Sequence, residues 1–563
     1  MSRLKLGSSL TLLATGLASA MALTMTSGCL EHPLKPVELE KGSEDDRQLQ
    51  LTVNKDVDIL FVIDNSGSMG EEQANLGANF PVFIEKLEEE TVDANYRIGV
   101  TTTDNDNPWC GTSTPEGGKL VLSSCMTRLN DFLFGANVDV RDLACDDICN
   151  LDAAALEILP STTDSDEMNI PRPWLENIEG KKNIPEGTEM AEAFACFGPQ
   201  GVNGCGFESQ LESMYLALVR AQSKDEESFG FLRDSAILAV VFVTDEADCS
   251  YNKDWSEIFD QDGKKTFWSD PEAVSPTSAV CWNAGVECTG DPSGYDACNA
   301  VNKDVDGNVG VSDAEAVLHP MNRYINLVNG IEEQKKVLND QQEVIVALIG
   351  GVSNEGEAFY GDAGPTEAQQ KFQADFGIGP GCTAPGDVTA IPPVRLRDMT
   401  EAFTPGNMFS ICNPDYSPAL QAIADRIVDQ IQPACYSECV KDTDAATEVV
   451  DPECTVEENP PGNGTEDEVR IEECLRDADG YVIDAMSGEP SMPTADTNVC
   501  YTLLVDSTGE QTPSPLDDMS ETCIEANNNL EFQVFRRPGF PAAGGTAISA
   551  TCSLADFAAI ECG

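Results

Sequence analysis

The residues best suited to chemistry are Asp64, Ser66 and Ser68, spaced as Asp-x-Ser-x-Ser within Asp64-Asn65-Ser66-Gly67-Ser68-Met69-Gly70. Alternate residues of a tight turn can aim their oxygens at one point. One carboxylate and two hydroxyls make a hard, all-oxygen set suited to magnesium, calcium or manganese. A second acid, Asp245, closes another apolar run in Thr244-Asp245-Glu246. A separate stretch, Asn302 to Asp313, follows the spacing of a calcium loop. Asn302, Asp304, Asp306 and Asp313 take its oxygen positions, Asn308 lies among them, and Gly307 sits at the sharp turn. Its last ligand is Asp313 rather than the usual bidentate Glu, and Pro292 and Gly294 disfavour a helix before it. The plain alternative there is a polar loop.

Composition excludes several functions. The chain has only two histidines, His32 and His319. Histidine triads and HExxH zinc sites therefore do not fit, and no GxSxG motif supplies a nucleophile. The expectation is a protein that is not an enzyme. Acidic residues number 98 against 33 Lys and Arg, a formal net charge of −65. Such a surface repels nucleic acid and anionic membrane faces and attracts cations.

The elements that must position the acids are legible. Val57 to Ile63 is a continuous apolar run with the length and β-branching of a strand buried on both faces. A helix follows it, with Leu76, Phe80, Phe83, Ile84 and Leu87 on one side. Tyr96–Thr103 reads as the next strand, Leu211 to Leu218 as a helix, and Ala236–Val243 as a second buried strand. A helix over 321–338, a strand at Val344–Ile349 and a helix opened by Ser417-Pro418 continue the alternation. Strands alternating with helices predict a doubly wound, mostly parallel α/β sheet whose ligand crevice lies at the carboxyl ends of the strands. This domain is expected over 51–434, with disulfide-rich insertions near 104–205 and 249–318. An acidic linker is expected over 435–473, then a small disulfide-stapled β module over 474–563.

The first 28 residues read as an export signal: Arg3 and Lys5 precede an apolar run that ends in Thr26-Ser27-Gly28-Cys29. The end resembles a bacterial lipobox, which implies acylation of Cys29 and a membrane held through lipid alone. Residues 29–50 then form an acidic tether. The expected place is the outer membrane or cell surface of a Gram-negative bacterium. Of 21 cysteines, 20 remain after Cys29, and their scatter in an exported chain predicts disulfides rather than zinc.

Ile59-Leu60-Phe61-Val62-Ile63-Asp64-Asn65-Ser66-Gly67-Ser68-Met69 resembles the opening of a von Willebrand factor A domain. The whole arrangement is similar to lipoproteins of myxobacterial type that carry such a domain. The resemblance implies a metal-ion-dependent adhesion site built on Asp64, Ser66, Ser68 and Asp245, with an open metal position for a partner's carboxylate. It also implies a threonine before the second main helix. That stretch reads Gly204-Cys205-Gly206-Phe207-Glu208-Ser209-Gln210 and has none. Glu208 is the best-placed oxygen, Ser209 is next, and Thr188 lies 57 residues before Asp245. The expected function is adhesion to a protein or glycan ligand through a bound Mg2+, Ca2+ or Mn2+. The alternative is a structural or assembly scaffold of the cell envelope with no metal-dependent binding.

Overall fold

The computed structural model describes residues 47–51 and 55–555, apart from short internal stretches of which the longest are 337–342, 444–449, 460–468, 507–517 and 538–546. The export signal, Cys29 and the tether up to residue 46 lie outside the described residues.

One sheet carries the elements that position the acids. Its strands are β1 (Asp56–Ile63), β2 (Asn95–Thr102), β3 (Leu175–Ile178), β4 (Ile237–Val243), β5 (Ile345–Gly350) and β6 (Met408–Ser410). They lie in the order β6-β5-β4-β1-β2-β3, and the two-residue strand Lys181–Lys182 extends the β3 edge. All neighbours are parallel except β3, which runs antiparallel to β2. This is a doubly wound order, and its direction of winding reverses between β1 and β4.

Alternation along the buried strands feeds two cores. Val57, Ile59, Phe61 and Ile63 of β1 point into one, and Leu60 and Val62 into the other. The first core is closed by helices α1 (Gly70–Leu87), α2 (Met190–Phe197) and α6 (Ser417–Val428). The second is closed by α3 (Gln210–Ala221), α4 (Met321–Lys336) and α5 (Val394–Phe403). Phe80 and Phe194 stack at 3.6 Å beneath Phe61, which ties α1 and α2 to the sheet. Helix α3 begins without a capping side chain of its own. Asp248 and Ser250 cap it from a distance, accepting from the Leu211 and Glu212 amides at 3.0 and 2.9 Å. Ser250→Ala is expected to cost about 1 kcal/mol, read as a shift in urea midpoint at unchanged slope.

The opposite end of the sheet holds three buried cations. Arg233 donates to Asp58 through its amide and Nε at 2.6 and 2.9 Å, and Arg97 pairs with Glu176 at 3.2 Å. Lys335 donates to the Arg233 and Ala236 carbonyls.

Three expectations need correction. The stretch 104–205 is not all insertion, because it supplies β3 and α2. A four-residue edge strand, Leu-Glu-Asn-Ile, has too little apolar repeat to be seen. The stretch 435–473 is not only a linker, because Ala434–Cys435, Cys454–Asn459 and Val469–Glu473 are strands of a second seven-stranded sheet. Cys454–Asn459 and Val469–Glu473 each carry two adjacent glutamates and a single fully buried apolar residue, Val456 and Ile471. The end of the tether is also a strand: Arg47–Leu51 pairs antiparallel with Ala547–Cys552 in that sheet. The expected strands of the C-terminal module form as Val499–Leu504, Glu531–Arg536 and Ala547–Cys552.

Nine disulfides join described residues, and Cys439 is disulfide-bonded as well. Such cross-linking belongs to an oxidising, extracytoplasmic compartment. Among the described residues no helix is long and apolar enough to cross a membrane.

Candidate metal centre

The parallel pairing of β1 with β4 brings Asp64 and Asp245 to the same end of the sheet, where the winding reverses. The Asp64 amide donates to the Val243 carbonyl at 2.9 Å, so the two strand ends are directly bonded. Asp64 is fully buried. Its Oδ1 accepts from the Ser66 amide at 2.8 Å, and its Oδ2 accepts from the Thr244 hydroxyl at 2.6 Å. The Ser66 and Ser68 hydroxyls lie 3.1 Å apart, and the Ser68 hydroxyl bonds to Asp245. Ser68 is exposed while Asp64, Ser66, Glu208 and Asp245 are buried, so the cluster opens to solvent beside Ser68.

Glu208 joins the cluster from the start of α3. Its neighbour Ser209 is turned away, donating from its hydroxyl to the Cys249 carbonyl at 3.0 Å. Thr188 is engaged with the Ala155 carbonyl. Of the three candidates for the missing threonine's place, Glu208 alone keeps a buried oxygen with no partner among the described residues.

The electrostatics are one-sided. Burial, then the charge of Asp64, lifts the Asp245 carboxyl well above the carboxylate range. Burial, then Asp64 and Glu246, does the same to Glu208. Partly buried Glu246 is raised by desolvation and by Asp245 and Asp64. Asp64 is raised by burial against the opposing pull of Thr244 and Ser66. Glu72, in the first turn of α1, is pushed up to about 7 by burial. Lys and Arg take no part in any of these shifts. Asp245 Oδ1, Glu208 Oε1 and Glu72 Oε2 are buried acceptors with no donor among the described residues. Buried acceptors without donors are costly, and a cation is the simplest way to satisfy several at once.

The donor set suits a hard divalent ion: Asp64, Ser66, Ser68, Asp245 and Glu208 offer carboxylate and hydroxyl oxygens only. Among the described residues no three His, Cys, Asp or Glu side chains stand as a closed metal cluster. A centre here must therefore draw on serine hydroxyls as well as acids, and two of its acids, Asp245 and Glu208, each keep one buried oxygen with no donor among the described residues.

Sequence reasoning missed three supports. Gln73 donates to the Asp64 and Gly201 carbonyls at 2.7 Å and accepts from the Gln200 and Gly201 amides, fixing the loop from behind. Thr103, bonded through its amide to the Ile63 carbonyl, carries a buried hydroxyl with no partner among the described residues. Gly204 packs so closely that a Cβ there would lie 2.1 Å from Asn65 Oδ1. The only available signal was the crowding of polar residues after each apolar run.

The 302–313 loop is of another kind. Asp304 Oδ1 accepts from the Asp306 and Asn308 amides, both at 2.9 Å, while Asn308 Nδ2 donates to Asp304 Oδ2. Asp306 is ion-paired with Lys264, and Asn302 reaches Asp313 at 3.5 Å. A hairpin of Val286–Asp291 and Gly294–Ala300, rather than a helix, precedes the loop. A cation entering it would have to displace an ammonium already in place.

No protein-family model and no curated relative matches the chain. Among solved structures, the pilus adhesin RrgA of Streptococcus pneumoniae aligns at 10% identity and TM-score 0.24, over 91% of this chain and 58% of that one. The open conformation of the pilus adhesin SpaC from Lactobacillus rhamnosus GG aligns at 9% identity and TM-score 0.25, over 89% of this chain and 39% of that one. The chain thus spans less than two thirds of either adhesin, and scores of this size define neither a shared fold nor a shared activity.

Proposed function

We propose that this chain is an exported adhesion protein with a von Willebrand factor A-like domain, anchored by lipid at Cys29. In this reading Asp64, Ser66, Ser68 and Asp245 hold a divalent cation, with Glu208 in the place of the family's threonine. The cation supplies a Lewis-acidic contact for an oxygen of a protein or glycan partner. Gln73 and the β1–β4 bond keep the loop rigid, and Ser68 marks the side from which a partner approaches.

The observation that supports this most is that Asp245, Glu208 and Glu246 are all raised by burial and by the charge of Asp64, and that Asp245 and Glu208 each keep a buried oxygen with no donor among the described residues, at the point where the sheet reverses its winding. An extra acid at Glu208 lowers the net positive charge left on the ion. That favours calcium, and a partner less acidic than a free carboxylate. The test is capture of envelope or host-surface material by the purified chain with and without chelator. Capture that needs the cation and fails in Asp64→Ala is expected. Capture indifferent to both would instead make the chain a scaffold docking through its C-terminal module.

A further inference from the structure

A second recess is bordered by α3 residues Glu212, Leu216 and Arg220, and none of Asp64, Ser66, Ser68, Asp245 and Glu208 lines it. It is a cavity of about 580 Å³, within the usual range for small-ligand sites. It is lined by the loop after β2, the solvent side of α3, and residues 251–253 with His319. Two features set it apart from the rest of this acidic molecule. Lys119 and Lys253 both face it, both are exposed, and neither has an acidic partner among the described residues. Asn105, only 4% exposed, lines it with a side-chain amide that has no hydrogen-bond partner among the described residues.

The other polar groups narrow the ligand. Glu212 is occupied by a bidentate bond from Arg323, at 2.9 Å to each oxygen. Arg220 is held by Glu226 and the Gly117 carbonyl. Burial lowers the pKa of His319 and raises that of Glu116, so the imidazole stays neutral and the acid is less readily charged. Asp106 remains as an exposed acid at the edge. The start of α3, the usual attraction for phosphate, is already capped by Asp248 and Ser250. What remains is two free ammonium groups, one free amide, neutral donors and acceptors, and apolar contact from Leu216 and Pro115. A dense polyanion would meet Asp106 and Glu116. A chain of hydroxyl-rich rings, with its carboxylates spaced farther apart, would be repelled less.

We infer that this cavity binds an acidic saccharide, with Lys119 and Lys253 pairing its carboxylates and Asn105 reading its hydroxyls. The site is independent of the proposed metal centre. The test is calorimetric titration of the full chain, in EDTA, with trigalacturonate and with its uncharged methyl ester. Trigalacturonate is expected to bind, the ester at least 10-fold more weakly, and Lys119→Glu/Lys253→Glu to lose at least 10-fold for the acid. Both lysines are exposed, and the ester comparison needs no variant at all. Equal binding of acid and ester, no binding of either, or an unaffected double variant would overturn the assignment. Stronger binding of a polyglutamate peptide than of the saccharide would do so as well. Because EDTA is present throughout, failure of the metal reading leaves this result untouched.

Discussion

Alanine at position 64 is expected to abolish the proposed cation uptake: calorimetric titration with calcium, magnesium or manganese should give only heats of dilution. Asp64 is the hub of the cluster, since its two oxygens orient the Ser66 amide and the Thr244 hydroxyl while its charge acts on Asp245, Glu208 and Glu246. Its loss therefore takes both a ligand and the geometry of the others. Glu208→Gln is a milder change. It keeps an oxygen at the same place but removes one negative charge, so calcium affinity is expected to fall by about tenfold or more while binding survives. Full calcium affinity in Asp64→Ala would remove the centre from this crevice.

The second large effect concerns stability and pH in metal-free protein. An acid whose pKa is raised on folding binds its proton more tightly in the native state. Its contribution to stability then falls as pH rises from the unfolded value toward the folded one. Glu72 alone, moving from 4.5 to about 7, costs on the order of 3 kcal/mol at neutral pH. Asp64, Asp245, Glu208 and Glu246 shift in the same direction. Chelated protein should therefore melt several degrees higher near pH 5 than at pH 7. Saturating calcium should raise the pH 7 melting temperature and flatten that difference, because a bound divalent ion makes the charged forms favourable. A chelated protein that melts at the same temperature at both pH values would show these acids to be solvated instead.

The parts of this design visible in the chain were those with long buried strands. Ile59 to Ile63 and Ile237 to Val243 are apolar on both faces, and such runs have few alternatives to a central parallel strand. Their ends, and so Asp64 and Asp245, could be read with them. Glu208 could be nominated only by its place before α3, since nothing local distinguishes a ligand from a buried cap. Gln73 and Thr103 were hidden because their roles depend on neighbours such as Gly201 and Ile63, which only the folded backbone brings near. The strand Arg47–Leu51 was hidden because its partner lies roughly five hundred residues away, and pairing over that distance leaves no local period.

That pairing has a mechanical outcome. For a chain held from its N-terminal side, tension enters at Arg47, follows the backbone of Arg47–Leu51 and passes into β1, which ends at the acids. The C-terminal sheet lies alongside this line of force rather than in series with it. Its rungs to Ala547–Cys552 run beside that path, and Cys552 is joined to Cys454 by a disulfide. Load applied at the crevice would then be borne by β1 and the Arg47–Leu51 backbone rather than by the remaining strands of that sheet.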